Sequence, residues 1–298
     1  MFVNKMKKLI KILLILLGVV LLVTLGFWVF NSMTSEQEEV KEMPSSSSQE
    51  ITERPQKEEK NLEDELKEKG DQLAEEYPNS LEYRVYDLDT EKTYSYTNDE
   101  EDKIYETASI VKVAVAMLLF HEKEAAQEEL TDEEAQRMSD MILSSDNEAT
   151  TALLNESLGG FESLQMIFDD LDMNDTTVNL GNWGNSTTTA KDQMKLLKEL
   201  YLPSEYITEE AQDYIIDLMT QIDDDQSWGV YAGSDDVSFK NGWLTDGVSG
   251  VWIVTSIGKV TQGDKSYLAV ALSDENETEE AGRQVIEELV QVTSEYLL

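Results

Sequence analysis

The run SIVKVAVAMLLF, from Ser109 to Phe120, decides the fold of this chain. Apart from the serine and Lys112 its residues are apolar, and at 3.6 residues per turn they cover nearly every side of a helix. A helix that is apolar all round is packed in an interior, among other elements of the fold. Because an unpaired lysine is costly in such surroundings, Lys112 needs a partner or a purpose.

The segments on either side of this helix predict an α+β plan. Before it we expect a helix over 61–77 and a hairpin of two strands over 81–88 and 92–97, which are rich in Tyr and Val. The chain is mostly helical from 109 to about 200. Three further strands and a closing helix are predicted over 237–244, 248–257, 267–272 and 281–298.

The first 60 residues predict a membrane anchor and a tether. Residues 1–11 carry four lysines and no acid, and residues 12–30 are uncharged. As a helix, 12–30 would extend about 28 Å, close to the hydrocarbon thickness of a bilayer. Lysines before the span predict a single-pass cell-membrane protein whose folded domain, 61–298, is extracytoplasmic. A cleaved signal peptide is the alternative, but no small-residue cleavage pattern follows the span. The Ser-rich, charged residues 31–60 predict a disordered tether.

Composition excludes several classes of function. The chain has 23 basic and 62 acidic residues, a net charge of −39, and residues 31–298 alone carry −43. Such a surface repels nucleic acid, so we expect no nucleic-acid partner. With no cysteine and one histidine, the chain has no disulfide and no thiol nucleophile. We expect no metal and no organic cofactor.

Three short motifs follow one another along the predicted domain. They are Ser109-Ile110-Val111-Lys112, Ser145-Asp146-Asn147 and Lys240-Asn241-Gly242. Each has a structural explanation of its own: the first serine can cap a helix, the second opens a capping box completed by Glu148, and Asn-Gly is a hairpin turn. Asp246-Gly247 is an equally good turn. If the chain turns there, the third motif lies within one strand.

A serine nucleophile needs a group that takes its proton. The single histidine, His121, lies twelve residues beyond Ser109, about 18 Å along a helix, which excludes a Ser-His-Asp triad. Lys112 follows Ser109 by one helical turn and shares its face. It can act as a base only when neutral. Burial near a second lysine, Lys240, can lower its pKa from about 10.4 to about 7, at roughly 4.6 kcal/mol.

In this order and spacing, the motifs resemble the Ser-x-x-Lys, Ser-Asp-Asn and Lys-Thr-Gly set of class A β-lactamases and penicillin-binding proteins. The resemblance covers residues 62–298. It implies a β-lactamase-like α+β fold, an antiparallel sheet with flanking helices and a helical subdomain. It also implies an active-site serine hydrolase that forms an acyl-enzyme on Ser109. Its substrate would be a β-lactam or a peptidoglycan stem-peptide-like amide.

The resemblance gives the other motif residues a role as well. Ser145 would relay a proton to the leaving group, and Asn147 would bind the substrate amide. Lys240 would attract a substrate carboxylate, and Asn241 would donate a hydrogen bond where the family has Thr or Ser.

Gly242 would let the ligand approach the backbone. The backbone N–H groups of Ser109 and Trp243 would form an oxyanion hole.

One part of the family pattern is missing. Class A β-lactamases hydrolyse their acyl-enzyme with a water activated by a Glu on a long loop. Residues 180–189 resemble both flanks of that loop, but Gly184 stands where the Glu is expected. Without that base, deacylation should slow by about 10² to 10⁴. Two alternatives stay open: a D,D-peptidase of wall remodelling, and a non-catalytic penicillin-binding or sensing module.

Overall fold

The computed structural model describes residues 61–298. The predicted basic tail, membrane span and tether, at 1–11, 12–30 and 31–60, lie outside the described residues. Among the residues described, none of the helices is both long and apolar enough to cross a membrane.

The helices of the described chain are α1 to α8. Their bounds are Leu62–Glu76, Val111–Ala126, Asp132–Leu143, Asn147–Ala152, Leu164–Asp170, Ala190–Tyr201, Glu209–Met219 and Glu279–Leu297. The strands are β1 to β7. Their bounds are Ser80–Asp87, Thr93–Thr97, Tyr105–Glu106, Thr187–Thr188, Asp236–Thr245, Trp252–Gln262 and Lys265–Asn276. The predicted α+β plan is confirmed: two strands, a helical block, three strands and a terminal helix.

Five of the strands form one antiparallel sheet in the order β2-β1-β7-β6-β5. Strands β3 and β4 form a separate two-stranded ladder. Strand β7 lies at the centre of the large sheet, and β5 lies at its edge. The third motif is part of β5, so one of its flanks has no strand beside it in the described chain.

Both faces of the large sheet are buried, which explains the apolar composition of β7. Its residues Leu268, Val270 and Leu272 join the core of the helical block, which includes the interior helix α2. The intervening Ala269 and Ala271 join a second core with α1 and α8. Because alternate residues of a strand point to opposite faces, a strand covered on both sides is apolar throughout.

The turn between β5 and β6 is longer than predicted. The strand expected from Val248 begins at Trp252, and Val248 is 97% exposed at the tip of the hairpin. The Asp246 carboxylate accepts hydrogen bonds from the Val248 backbone N–H and from Ser249. An Asp that bonds to the backbone two residues on stabilises a turn, and here it delays the return strand.

Candidate active site

Ser109 lies in a tight turn, Ala108–Ile110, immediately before the interior helix α2. Ala108 has a φ of +46°, a left-handed conformation that side chains rarely adopt. The turn is held on both sides: Thr107 donates its N–H to the Ser186 carbonyl at 2.7 Å, and Thr255 donates its hydroxyl to the Thr107 carbonyl at 3.1 Å. Such strain persists only where the surroundings enforce it, and it is common at active sites.

The Ser109 residue is half-buried and opens into a cleft of about 270 Å³. The cleft is lined by Ala108, Ser109, Asn147, Thr151, Asn182, Trp183, Gly184, Trp243 and Leu244. Residues from all three motif regions therefore meet at one cavity. The turn that contains Ser109 has no side-chain cap, so helix capping does not account for this serine.

Lys112 is completely buried beneath this cleft. Its Nζ atom donates to the Ser145 carbonyl at 2.5 Å and to Asn147 Oδ1 at 2.8 Å, and lies 3.0 Å from Ser145 Oγ. Burial lowers the pKa of Lys112 to about 7, against the opposing charge of Asp146. A pKa near 7 makes the uncharged amine accessible at neutral pH, and its role as the base stays a prediction.

The hydrogen bonds of Lys112 suit an uncharged amine. A neutral amine has two N–H donors and one lone pair. The two carbonyl oxygens, of Ser145 and Asn147, take the two protons because neither can donate in return. The lone pair is then left for a hydroxyl. No hydrogen bond joins Lys112 to Ser109 within residues 61–298, but catalytic hydrogen bonds commonly shorten only when substrate binds.

Lys240 approaches the same hydroxyl from the sheet. It is completely buried, and its Nζ atom lies 3.0 Å from Ser145 Oγ and 3.2 Å from the Asn241 carbonyl. Burial and, second, the charge of Lys112 hold the pKa of Lys240 well below its usual range. Like Lys112 and Ser145, Lys240 does not itself line the described cleft. The attraction of a substrate carboxylate by Lys240 stays a prediction.

Ser145 and Asn147 are held just before and at the start of α4. The capping residue of that helix is Asp146, whose carboxylate accepts the Ala149 N–H at 2.6 Å, so the alternative explanation of Ser145 as a helix cap is wrong. Ser145 has a φ of +55°, which turns its hydroxyl between the two lysines. Asn147 is exposed in the cleft, and only its Oδ1 atom is occupied, so its amide protons can meet a substrate carbonyl.

Asn241 corrects a prediction. Its carboxamide is fully buried, donates to the carbonyls of Gln226 at 2.8 Å and Trp228 at 3.0 Å, and accepts from Ser256. Both amide protons are therefore used, and no donor remains for a substrate. The reason is strand geometry: Lys240 and Gly242 share one face of β5, and the residue between them points to the other face.

Gly242 lies where strand β5 packs against the turn that contains Ser109. The third motif is paired along β5, and the chain turns only after Asp246, so the hairpin explanation of Asn-Gly is wrong. A side chain at Gly242 would place its Cβ 2.6 Å from the Ser109 backbone nitrogen. Glycine is needed here because the nucleophile turn packs against the strand. Trp243 follows at once, which brings the Ser109 and Trp243 backbones to the same end of the cleft.

The loop opposite Ser109 supplies no acid. Asn182, Trp183 and Gly184 line the cleft from a short turn, and its lining includes no Asp or Glu among the described residues. The neighbouring acid Asp192 is fully buried and accepts from the Asp175 N–H, which makes it structural.

His121, like Asp192, makes structural contacts. Its ring stacks on Tyr206 at 4.0 Å, and its Nδ1 atom bonds to the Tyr206 carbonyl.

Sequence reasoning missed the partners of Trp183. Its indole N–H donates to Thr151 Oγ1 at 3.0 Å, and its ring centroid lies 5.1 Å from Lys112 Nζ. Thr151 is one helical turn after Asn147, which is the only sequence pattern that points to it. No local pattern links Trp183 to α4.

Comparison with known proteins agrees with this geometry. The sequence model of the beta-lactamase enzyme family matches residues 133–297, more than half of the chain. No curated protein sequence matches it.

Similar folds occur among solved structures. The TLA-3 extended-spectrum β-lactamase has a TM-score of 0.69 at 14% identity, covering 78% of this chain and 98% of its own. A class A β-lactamase from Bacteroides cellulosilyticus has a TM-score of 0.69 at 13% identity, covering 80% of this chain and 98% of its own. A PBP-A variant in an acyl-enzyme complex with penicillin G has a TM-score of 0.64 at 19% identity, covering 78% and 96%. At these identities the likeness establishes the fold.

Proposed function

Because the chain belongs to the beta-lactamase enzyme family, we propose that it is a serine hydrolase that forms an acyl-enzyme on Ser109. The observation that carries this proposal is the buried Lys112, whose amine is bonded to Ser145 and Asn147 and has a pKa of about 7. A lysine whose pKa lies near physiological pH, one helical turn from a serine that opens into a cleft, is suited to be the base.

The proposed reaction begins with Lys112. Its lone pair takes the Ser109 proton while Ser109 Oγ attacks the substrate carbonyl, and the N–H groups of Ser109 and Trp243 stabilise the oxyanion. As the carbon–nitrogen bond breaks, Ser145 gives its proton to the leaving nitrogen. Lys112 returns the first proton to Ser145 across their 3.0 Å contact. The product is an ester on Ser109, and Lys112 is neutral again.

The substrate class we propose is a β-lactam or a D-Ala-D-Ala-like amide, with slow turnover. PBP-A, which has a similar fold, is described as an acyl-enzyme with penicillin G. The cleft supplies Lys112 for acylation, whereas Gly184 supplies no carboxylate that could activate water. This absence favours an ester of long life, as in a penicillin-binding protein, over rapid β-lactam hydrolysis.

Intact-protein mass spectrometry after incubation with penicillin G tests the proposal. We expect one adduct on the wild type and on Ser95→Ala, an exposed serine on β2, and none on Ser109→Ala. The adduct should persist for hours. An unlabelled wild type, or equal labelling of Ser109→Ala, contradicts the proposal. An adduct that disappears within seconds indicates an efficient β-lactamase instead.

We also propose that residues 12–30 anchor the enzyme in the cell membrane with its domain outside. Support comes from the uncharged span and the four preceding lysines. Cell fractionation tests it: the full chain should stay with membranes after a high-salt wash, and residues 31–298 should be released. Release of the full chain would contradict the anchor.

A further inference from the structure

Trp183 covers the amine of Lys112. The Nζ atom lies 5.1 Å from the centroid of its ring, and the Trp183 side chain is itself 7% exposed. The hydrogen bonds of this amine go to polar groups of Ser145 and Asn147. The indole is thus the apolar surface that stands between Lys112 and the cleft.

The indole is held at both ends. Its N–H donates to Thr151 Oγ1 at 3.0 Å. Its backbone is fixed by the short turn around it, in which Asn182 Oδ1 accepts the Gly184 N–H at 3.2 Å. Asn185 then ties this turn to the sheet ladder, donating to Glu106 Oε1 at 2.9 Å. These hydrogen bonds hold the indole ring over the amine of Lys112.

Resting on the proposed function, we propose that Trp183 is a positioning residue that keeps water from Lys112, and so keeps this amine able to take the Ser109 proton. Family enzymes place a carboxylate next in sequence, where this chain has Gly184. In this chain the aromatic ring keeps the Lys112 amine uncharged, and acylation needs no carboxylate at position 184.

The charges around Lys112 make the effect of Trp183 measurable. Asp146, before α4, favours the ammonium form of Lys112, whereas burial disfavours it. Lys240, on β5, faces the same hydroxyl, and the charge of Lys112 lowers the pKa of Lys240. Burial outweighs Asp146 in the present arrangement. A ring face also attracts a cation, which would favour the ammonium form. Exclusion of water by the indole lowers the pKa of Lys112, whereas attraction between the ring and the ammonium raises it. Replacing Trp183 therefore reveals which effect is larger.

The test is the pKa of Lys112, read from its ¹³Cε chemical shift in ¹³C-lysine-labelled full-length protein, with Lys112→Met assigning the signal. We expect Trp183→Ala to raise this pKa by about one to three units, since water then reaches the amine. Trp183→Leu, which keeps an apolar cover without a ring, should stay near the wild type. Trp243→Ala, which removes the other cleft-lining tryptophan, should leave the pKa of Lys112 unchanged.

An unchanged or lowered pKa in Trp183→Ala overturns the inference. If that variant does not fold, Thr151→Val is used, which removes the acceptor of the indole N–H together with the bond from Thr151 Oγ1 to the Asn147 carbonyl. A raised pKa of Lys112 in this variant supports the inference, and an unchanged or lowered one overturns it. A second readout is the pH profile of penicillin acylation. In Trp183→Ala its midpoint should move upward with the pKa of Lys112, and the rate should recover at high pH. If penicillin labels no form of the protein, the proposed function fails, while the order of pKa values still decides the role of Trp183.

Discussion

Lys112 and Lys240 share one hydroxyl group: the Nζ atom of each lies 3.0 Å from Ser145 Oγ. Two buried amines around one oxygen cannot both carry charge without strong repulsion, and burial already favours the neutral forms. In the proposed reaction, the hydroxyl between them passes a proton to the substrate.

Acylation of Ser109 should depend on pH through Lys112. The base must be deprotonated, and the pKa of Lys112 is about 7. The acylation rate should therefore rise through a midpoint near 7 and level off above it. Mass spectrometry of penicillin labelling between pH 5 and 9 measures this profile. Lys112→Arg, which keeps a charged side chain, serves as the comparison, and its acylation rate should be at least about 100-fold lower. A flat profile would rule out Lys112 as the base.

Lys112→Met should stabilise the fold at low pH and not at high pH. The folded-state pKa of Lys112, about 7, lies below the unfolded value. The unfolded chain thus binds more protons between pH 7 and 10, so wild-type stability rises with pH over that window. At pH 6.5 we expect the free energy of unfolding of Lys112→Met to exceed that of the wild type by about 2 kcal/mol, after the lost hydrogen bonds of Lys112 are deducted. The gain should vanish by about pH 10. Urea unfolding at both pH values measures it, and a pH-independent difference would contradict it.

Gly242→Ala should disable the nucleophile without unfolding the sheet. The added methyl would lie 2.6 Å from the Ser109 nitrogen, and the rigid backbone of the turn must move. A displacement of this kind lowers acylation by about 100-fold. Gly247→Ala is the matched control, because nothing lies within 4 Å of its added Cβ. Equal labelling rates in the two variants would refute the packing argument.

Gly184→Glu should shorten the life of the acyl-enzyme. The position borders the cleft, and its added Cβ meets nothing nearer than Asn182 Oδ1 at 3.5 Å. A carboxylate there can activate water, and we expect deacylation at least about tenfold faster. Gly184→Gln has the same size without a base. The decay of the penicillin adduct in both variants gives the answer, and identical lifetimes would exclude this position for a base.

Asn241→Ala should weaken the fold rather than substrate binding. The change leaves two buried carbonyls, of Gln226 and Trp228, without their donor. We expect a loss of about 3 kcal/mol in the free energy of unfolding. Asn155→Ala, an exposed asparagine, should stay within about 0.5 kcal/mol of the wild type. A stability loss no larger than that of Asn155→Ala would mean that the carboxamide is not structural.

The sequence predicted the positions of the chemistry better than their orientations. The Lys112 amine lies 3.0 Å from Ser145 Oγ, and Ser109, one helical turn before Lys112, opens into the cleft. The prediction for Asn241 copied a role from the family motif, although strand alternation already placed it on the face opposite Lys240. Residue spacing alone was the better guide there.

What the sequence could not show depends on contacts between distant segments. The indole of Trp183 donates a hydrogen bond to Thr151, which lies 32 residues earlier in the sequence. No local sequence pattern in either segment predicts this contact. The start of β6 was misplaced because Val248 is apolar, whereas the Asp246 side chain prolongs the turn. Local propensity is overridden in both cases by hydrogen bonds that exist only in the folded chain.

Strand β7 has a mechanical consequence. Its side chains belong alternately to the two cores, so neither the helical block nor the α1–α8 layer can separate from the sheet while the other stays intact. Residues 61–298 should therefore melt cooperatively, in one calorimetric transition. Any ligand that binds only the folded domain should then raise the melting temperature of all of residues 61–298, including the helices farthest from the cleft.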